Sequence, residues 1–367
     1  VIAIGTGAFK DCSGFNGNLV LSSRITSLPA SPDRMDRGGV FEGCVGLSGN
    51  LIIPQGVTYI GDETFSGCVG LTGELNIADS VTSIGFKAFY NCTGLSGTLS
   101  IPSSVKSIGN DAFAECNSFS GGLSIPNSVT SIGDAAFQNC SGFSGQLFLG
   151  NSVEQIGSFA FEHCTGLTGS LVIPDSVTEM GIDAFKMCSG FTGDLVIGGG
   201  LKSIRYRFWN YYFPHCDNFS GKLIINDGIE SIAEEAFDSY SDCDACFSEL
   251  MLGDTLKTIG NAAFRGRSSF SGNLKIPDSV SYIGCGAFAD CSGFIGSLVI
   301  PDSIDIIEST SFRNCSGFTG DLIISDNVAE IGKYAFENCS GFDGNLIIGN
   351  NVTIIGERAF LGCTGFT

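Results

Sequence analysis

The sequence predicts an α/β solenoid: a curved stack of about 15 rungs, each pairing short parallel strands with a single helical turn. Three observations carry that prediction. Phenylalanine recurs from Phe9 to Phe360, and eleven of its fourteen intervals are 24 residues, the others being 32, 28 and 27. A cysteine follows three residues after most of these phenylalanines, as in Phe137–Cys140 and Phe336–Cys339. Between successive copies, alternating Leu and Ile give way to a Pro/Asp/Asn/Ser cluster at a constant offset. A period held over the whole chain means that each unit buries its apolar face only against its neighbours.

The stretch Cys140–Phe161 shows one rung in order. Leu147 and Leu149 alternate with other residues, the period of a short half-buried strand. Turn chemistry follows, as in Pro174-Asp175-Ser176 or Pro301-Asp302-Ser303. A second extended piece carries Val153 and Ile156 inward, Gly157 breaks the run, and the Ala160-Phe161 pair is expected in one helical or 3₁₀ turn. Stacked at the strand spacing of about 4.8 Å, such rungs make columns of like side chains along an arc of roughly 70 Å. The phenylalanines segregate accordingly: 25 of 30 fall in two columns, the second lying six residues after the first (Phe119, Phe143, Phe191).

The wording Ile-Pro-Asp-Ser-Val-x-x-Ile-Gly-x-x-Ala-Phe-x-x-Cys, at Ile276–Cys291 and with Asn for Asp at Ile125–Cys140, resembles the BspA-like (Treponema-type) leucine-rich repeats. The resemblance covers essentially the whole chain, with one added residue in the Gly-Phe-x-Gly stretch. It implies a curved parallel-strand solenoid and a non-enzymatic surface or secreted protein that binds a partner. Fold does not carry the partner's identity with it.

The chain of 367 residues is expected to form one solenoid over 1–367, with Val1 and Thr367 each inside a repeat and any cap, leader or anchor outside it. No run reaches the length of a membrane-spanning helix. A net charge of −20, from 38 acids against 18 bases, excludes nucleic acid and disfavours an anionic membrane surface.

Fourteen of the 16 cysteines share one column, and only Cys246 and Cys285 stand outside it. Side chains on parallel neighbouring rungs point the same way, whereas a disulfide needs converging Cβ atoms. Free, buried thiols are therefore expected, with Arg267 at the one column position lacking cysteine. Cys243-Asp-Ala-Cys246 has zinc-like spacing but no second pair, and the only histidines, His163 and His215, sit beside column cysteines, so no cofactor is expected.

Insertions interrupt the period near 29–36, 205–212 and 239–242. The second, with Arg205, Tyr206, Arg207, Trp209, Tyr211 and Tyr212, holds the only Trp and three of eight Tyr. These residue types dominate binding hot spots. Two readings stand open: a partner-binding loop in which Trp209 and Tyr211 make contact, or aromatics folded back to plug the stack. A first-strand column expected to point outward is largely apolar, including Phe148, Val172, Val196, Ile224 and Met251. It is either an interaction face or a product of β-propensity. The exposed-looking row Asp227, Asp254, Asp278, Asp302 and Asp326 suits Asx turns or, less economically, a calcium line.

Asn91, Asn139, Asn218, Asn314, Asn338 and Asn351 begin glycosylation sequons, several arising from the repeat wording itself. No phosphate loop, nucleophile elbow or metalloprotease motif occurs. The expected function is non-enzymatic binding of a protein or glycan at the cell surface or outside the cell. The alternatives are a rod that self-assembles through another copy, and an intracellular scaffold, which free thiols permit.

Overall fold

The computed structural model describes residues 3–29, 38–206, 208–213, 215–239 and 246–367. Its strands are two to seven residues long and pair in parallel at offsets equal to the repeat. Ser107, Ser131 and Gln155 lie side by side in this way, as do Leu298, Leu322 and Leu346. Alternation then does the sorting. Leu298 and Ile300 are buried while Val299 between them is 51% exposed.

The chain divides into two compact units, Val1–Phe191 with Tyr212–Cys216, and Thr192–Tyr211 with Asp217–Thr367. In the first, six second strands from Tyr59–Ile60 to Glu179–Met180 form one sheet. In the second, Ser203–Ile204, Ser231–Ile232, Thr258–Ile259 and Tyr282–Ile283 form a four-stranded sheet. Its last turns add Ile306–Ile307, Glu330–Ile331 and Ile354–Ile355. Each unit has its own phenylalanine stack. Phe113 and Phe137 have ring centroids 5.4 Å apart at 6°, and Phe288 and Phe312 have centroids 5.4 Å apart at 8°. Fully buried rings at this spacing are the core.

Two expectations need correction. The fold is a parallel-strand β-solenoid of about 12 turns with very little helix, not an α/β stack of fifteen. Some rungs lack a full strand set. The earliest turns, for example, meet through isolated bridges at Ala3–Ser27 and Leu28–Ile60.

The expected helical turn fails for a reason of hydrogen bonding. Thr64, Ser66 and Cys68 donate their N–H groups three residues back, to Gly61, Glu63 and Phe65. The alternate donors, Glu63, Phe65 and Gly67, instead reach Phe86, Ala88 and Tyr90 on the next turn at 2.7–2.8 Å. Glu63 and Gly67 adopt left-handed φ of 56° and 74°. The same pair of positions is left-handed at Asp111 and Glu115 and at Phe159 and His163. A helix would spend every donor within one turn of chain; this arrangement shares them between neighbours. Among the described residues the helices are a 3₁₀ turn at Gly199–Leu201 and helix α1 at Phe208–Tyr212.

Candidate interaction surface

The cysteine column belongs to the core. Twelve of its thiols donate to the carbonyl of the previous turn's phenylalanine at 2.8–3.1 Å, as Cys140 does to Phe113. Burial pushes the Cys68 and Cys116 thiols up to about 12 and raises Cys92 and Cys140 well above the ordinary range. Such groups stay protonated and are poor nucleophiles and metal ligands. All cysteines of the described residues are free, Cys246 and Cys285 being exposed; Cys243 lies outside the described residues. Among the described residues no three His, Cys, Asp or Glu side chains are grouped to hold a metal ion.

Arg267 does in its turn what cysteine does elsewhere. It is 3% exposed and its Nε donates to the carbonyl of Phe237 at 2.7 Å. Its guanidinium carbon lies 5.6 Å from the Trp209 ring centroid, within cation–π range. The sequence marks the missing cysteine at this position but not its replacement by an equivalent donor.

That pairing decides where the aromatic insertion goes. Trp209, on α1, is 1% exposed and packs edge-on to Phe219 and Phe247, at 6.0 Å and 5.5 Å. Tyr212 is 3% exposed. Burial keeps both rings off the surface, against the expectation that they contact a partner. Arg205 and Tyr206 are exposed, and Tyr211 is half-buried with the Arg205 guanidinium 5.3 Å from its ring. Arg207 lies outside the described residues, as do 30–36 of the first insertion and 240–242 of the third.

The outward first-strand column is where alternation places it. In the first unit Phe148 is 58% and Val172 49% exposed. In the second, Met251 is 47% exposed while Val196 and Ile224 are half-buried. A shallow groove runs over Ile224 and Met251, bordered by the Lys222–Glu249 ion pair at 2.8 Å and by Asp254.

The exposed aspartate row ties turns together. Asp227 Oδ1 accepts the N–H of Asp254 at 2.6 Å, and Asp326 Oδ1 accepts that of Asn350 at 2.7 Å. These side chains therefore bond to the following turn, where local Asx turns were expected. The sequon residues work similarly: Asn139 Nδ2 donates to Glu115 and Asn314 Nδ2 to Asp290. No helix of the described residues is long and apolar enough to cross a membrane.

A leucine-rich repeat protein from Bacteroides ovatus is 25% identical with a TM-score of 0.50, covering 89% of this chain and 79% of its own. A leucine rich cell surface protein from Faecalibacterium prausnitzii is 23% identical with a TM-score of 0.31, over 83% and 87% of the two chains. The pneumococcal vaccine antigen PcpA is 18% identical with a TM-score of 0.36, over 90% and 91%. No functionally curated protein matches the chain. The model of the BspA type leucine rich repeat region, with six copies, matches residues 37–141, 121–244 and 238–367, and the chain belongs to that family.

Proposed function

We propose that this is a non-enzymatic recognition protein, held at the cell surface or secreted, that binds a protein or glycan partner through its outward first-strand face. The observation that supports this most is the run of exposed apolar side chains on that face, Phe148 and Val172 in one unit and Met251 in the other. Isolated exposed apolar residues are ordinary, but a column repeated on successive strands marks a contact surface. Of the described candidate residues in the second insertion, Arg205, Tyr206 and Tyr211 keep access to solvent. The family supports the surface location and the absence of catalysis. The buried, protonated thiols also leave little nucleophilic chemistry in the cysteine column.

The test is an array of glycans and immobilised extracellular proteins, probed with the native chain and with Phe148→Asp, Val172→Asp and Met251→Asp. A specific ligand lost in at least one variant, with the melting temperature unchanged, supports the proposal. A ligand retained by all three rejects this face as the site. Assembly with another copy would instead appear as a concentration-dependent mass in light scattering. The net charge of −20 opposes it.

A further inference from the structure

The outward column of the second unit is split by a charge. Met251 is followed by Lys275, which is exposed and reaches back to Asp254 at 3.5 Å, and the column then resumes as Val299, Ile323 and Ile347. These three stand in register on adjacent parallel strands, Leu298–Ile300, Leu322–Ile324 and Leu346–Ile347. Val299 is 51% and Ile347 47% exposed, with Ile323 half-buried between them. They make an apolar strip one side chain wide and three turns long, roughly 10 Å from first to last Cα at the strand spacing.

What flanks the strip distinguishes it from the Ile224–Met251 groove. Just ahead of the three strands stand Ser297, Asp321 and Asn345; in the turn beyond, the row is Asp302, Asp326 and Asn350. Asp321 Oδ1 accepts from the Asn345 backbone N–H at 2.6 Å, and Asp326 Oδ1 from that of Asn350 at 2.7 Å. These bonds fix Asp321 on one side of the apolar strip and Asp326 on the other, with Asp302 one turn before Asp326, and none of the six flanking positions is a Lys or Arg. By contrast, the groove over Ile224 and Met251 has Lys222 and Lys275 at its margins.

We propose that the Val299–Ile323–Ile347 strip docks a basic polypeptide segment, apolar side chains down on the strip and Lys or Arg side chains out to Asp321 on one side and to Asp302 and Asp326 on the other. The inference rests on the recognition reading above and names the partner's chemistry for one part of that face. Charge complementarity selects this occupant. A second copy of the chain brings another net charge of −20, and anionic lipid or an acidic glycan meets the same repulsion. A segment that carries both apolar and basic side chains complements an apolar strip with acids on both flanks.

Fluorescence anisotropy with the full chain tests it, using labelled peptides of about ten residues in which Val alternates with Lys, with Glu or with Ser. The Lys peptide should bind, the Glu peptide should not, and Ser should be weaker than Lys. Ile323→Lys should weaken the Lys peptide at least about tenfold, and Asp302→Asn with Asp326→Asn should weaken it severalfold and flatten its salt dependence. Gln155→Lys, on a second strand of the first unit and off the first-strand face, is the control and should leave binding unchanged. Circular dichroism melts confirm that the variants fold.

Equal binding by native chain and Ile323→Lys, a preference for the Ser peptide, or no binding by any peptide overturns the inference. So does a concentration-dependent mass abolished by Ile323→Lys, which identifies a second copy as the occupant. The recognition reading is judged separately, by the array variants Phe148→Asp, Val172→Asp and Met251→Asp. Loss of array binding in those variants beside a null peptide result leaves recognition standing and removes only this strip.

Discussion

Arg267 Nε donates to the carbonyl of Phe237 at 2.7 Å, and one turn later Cys291 Sγ donates to the carbonyl of Phe264 at 3.0 Å. A guanidinium and a thiol thus fill one role in neighbouring turns. The Phe264 carbonyl accepts both the Arg267 N–H and the Cys291 thiol, so the column side chain uses the carbonyl's second lone pair. Arg267→Ala removes a charge-assisted hydrogen bond and should lower the unfolding free energy by about 2 kcal/mol in urea titration. Arg267→Cys restores a donor of the native kind and should recover part of that loss. Equal destabilisation by the two would show that the donor to Phe237 contributes nothing.

Trp209 lies against that arginine, and its removal should be felt through it. Trp209→Ala empties a fully buried site between Phe219 and Phe247 and should cost about 3–5 kcal/mol. In a double-mutant cycle with Arg267→Ala, the two losses should fall short of adding, by about 0.5–2 kcal/mol. Additive losses would place the cation–π contact among the energetically neutral ones.

The thiol column makes stability sensitive to alkali. Cys68 and Cys116 have their pKa raised from 9.0 to about 12 by burial. Below pH 9 the thiols are protonated in both folded and unfolded chains, so their contribution is fully present. As pH rises from 9 toward 12, the unfolded chain ionises while the folded one holds its protons, and stability falls. Each such group contributes about 1.4 kcal/mol per pH unit in this window. Urea midpoints should therefore decline steeply above pH 9, and Cys68→Ser with Cys116→Ser should flatten the decline. A thiol reagent should modify exposed Cys246 and Cys285 in the native protein before Cys92 or Cys140.

Much of this fold is written in side-chain period. The 24-residue return of phenylalanine predicts that Phe113 lies on Phe137, and the alternation around Leu298 and Val299 predicts which side is wet. Those are properties of one strand or one column. The left-handed turns at Glu63 and Gly67 are not legible, because the division of donors between a turn and its neighbour involves two turns at once. Gly-x-x-Ala-Phe-x-x-Cys reads equally well as a helical turn. The candidate site divides along the same line. Phe148, Val172 and Met251 are exposed because strand period decides it, whereas Trp209 is buried by Phe219, Phe247 and Arg267, none of them close to it in the chain.

Two glycines separate the demands of packing from those of backbone conformation. Gly109 ends a second strand, and a Cβ there would lie 2.7 Å from the carbonyl carbon of Gly85 on the previous turn. Backbone stands against backbone, so neither can yield without spreading the stack. Gly109→Ala should cost about 1–3 kcal/mol. Gly286 has φ of 62°, but a Cβ would meet nothing nearer than 3.5 Å. The equivalent positions carry Glu63, Lys87 and Asp111 at φ between 52° and 56°. Gly286→Asn should therefore leave stability unchanged or raise it by up to about 1 kcal/mol, since asparagine tolerates the left-handed region and restricts the unfolded chain. Thermal melts of the two variants decide the matter. Should Gly109→Ala be silent and Gly286→Asn costly, conformational freedom rather than close contact between turns would be what retains glycine in this chain.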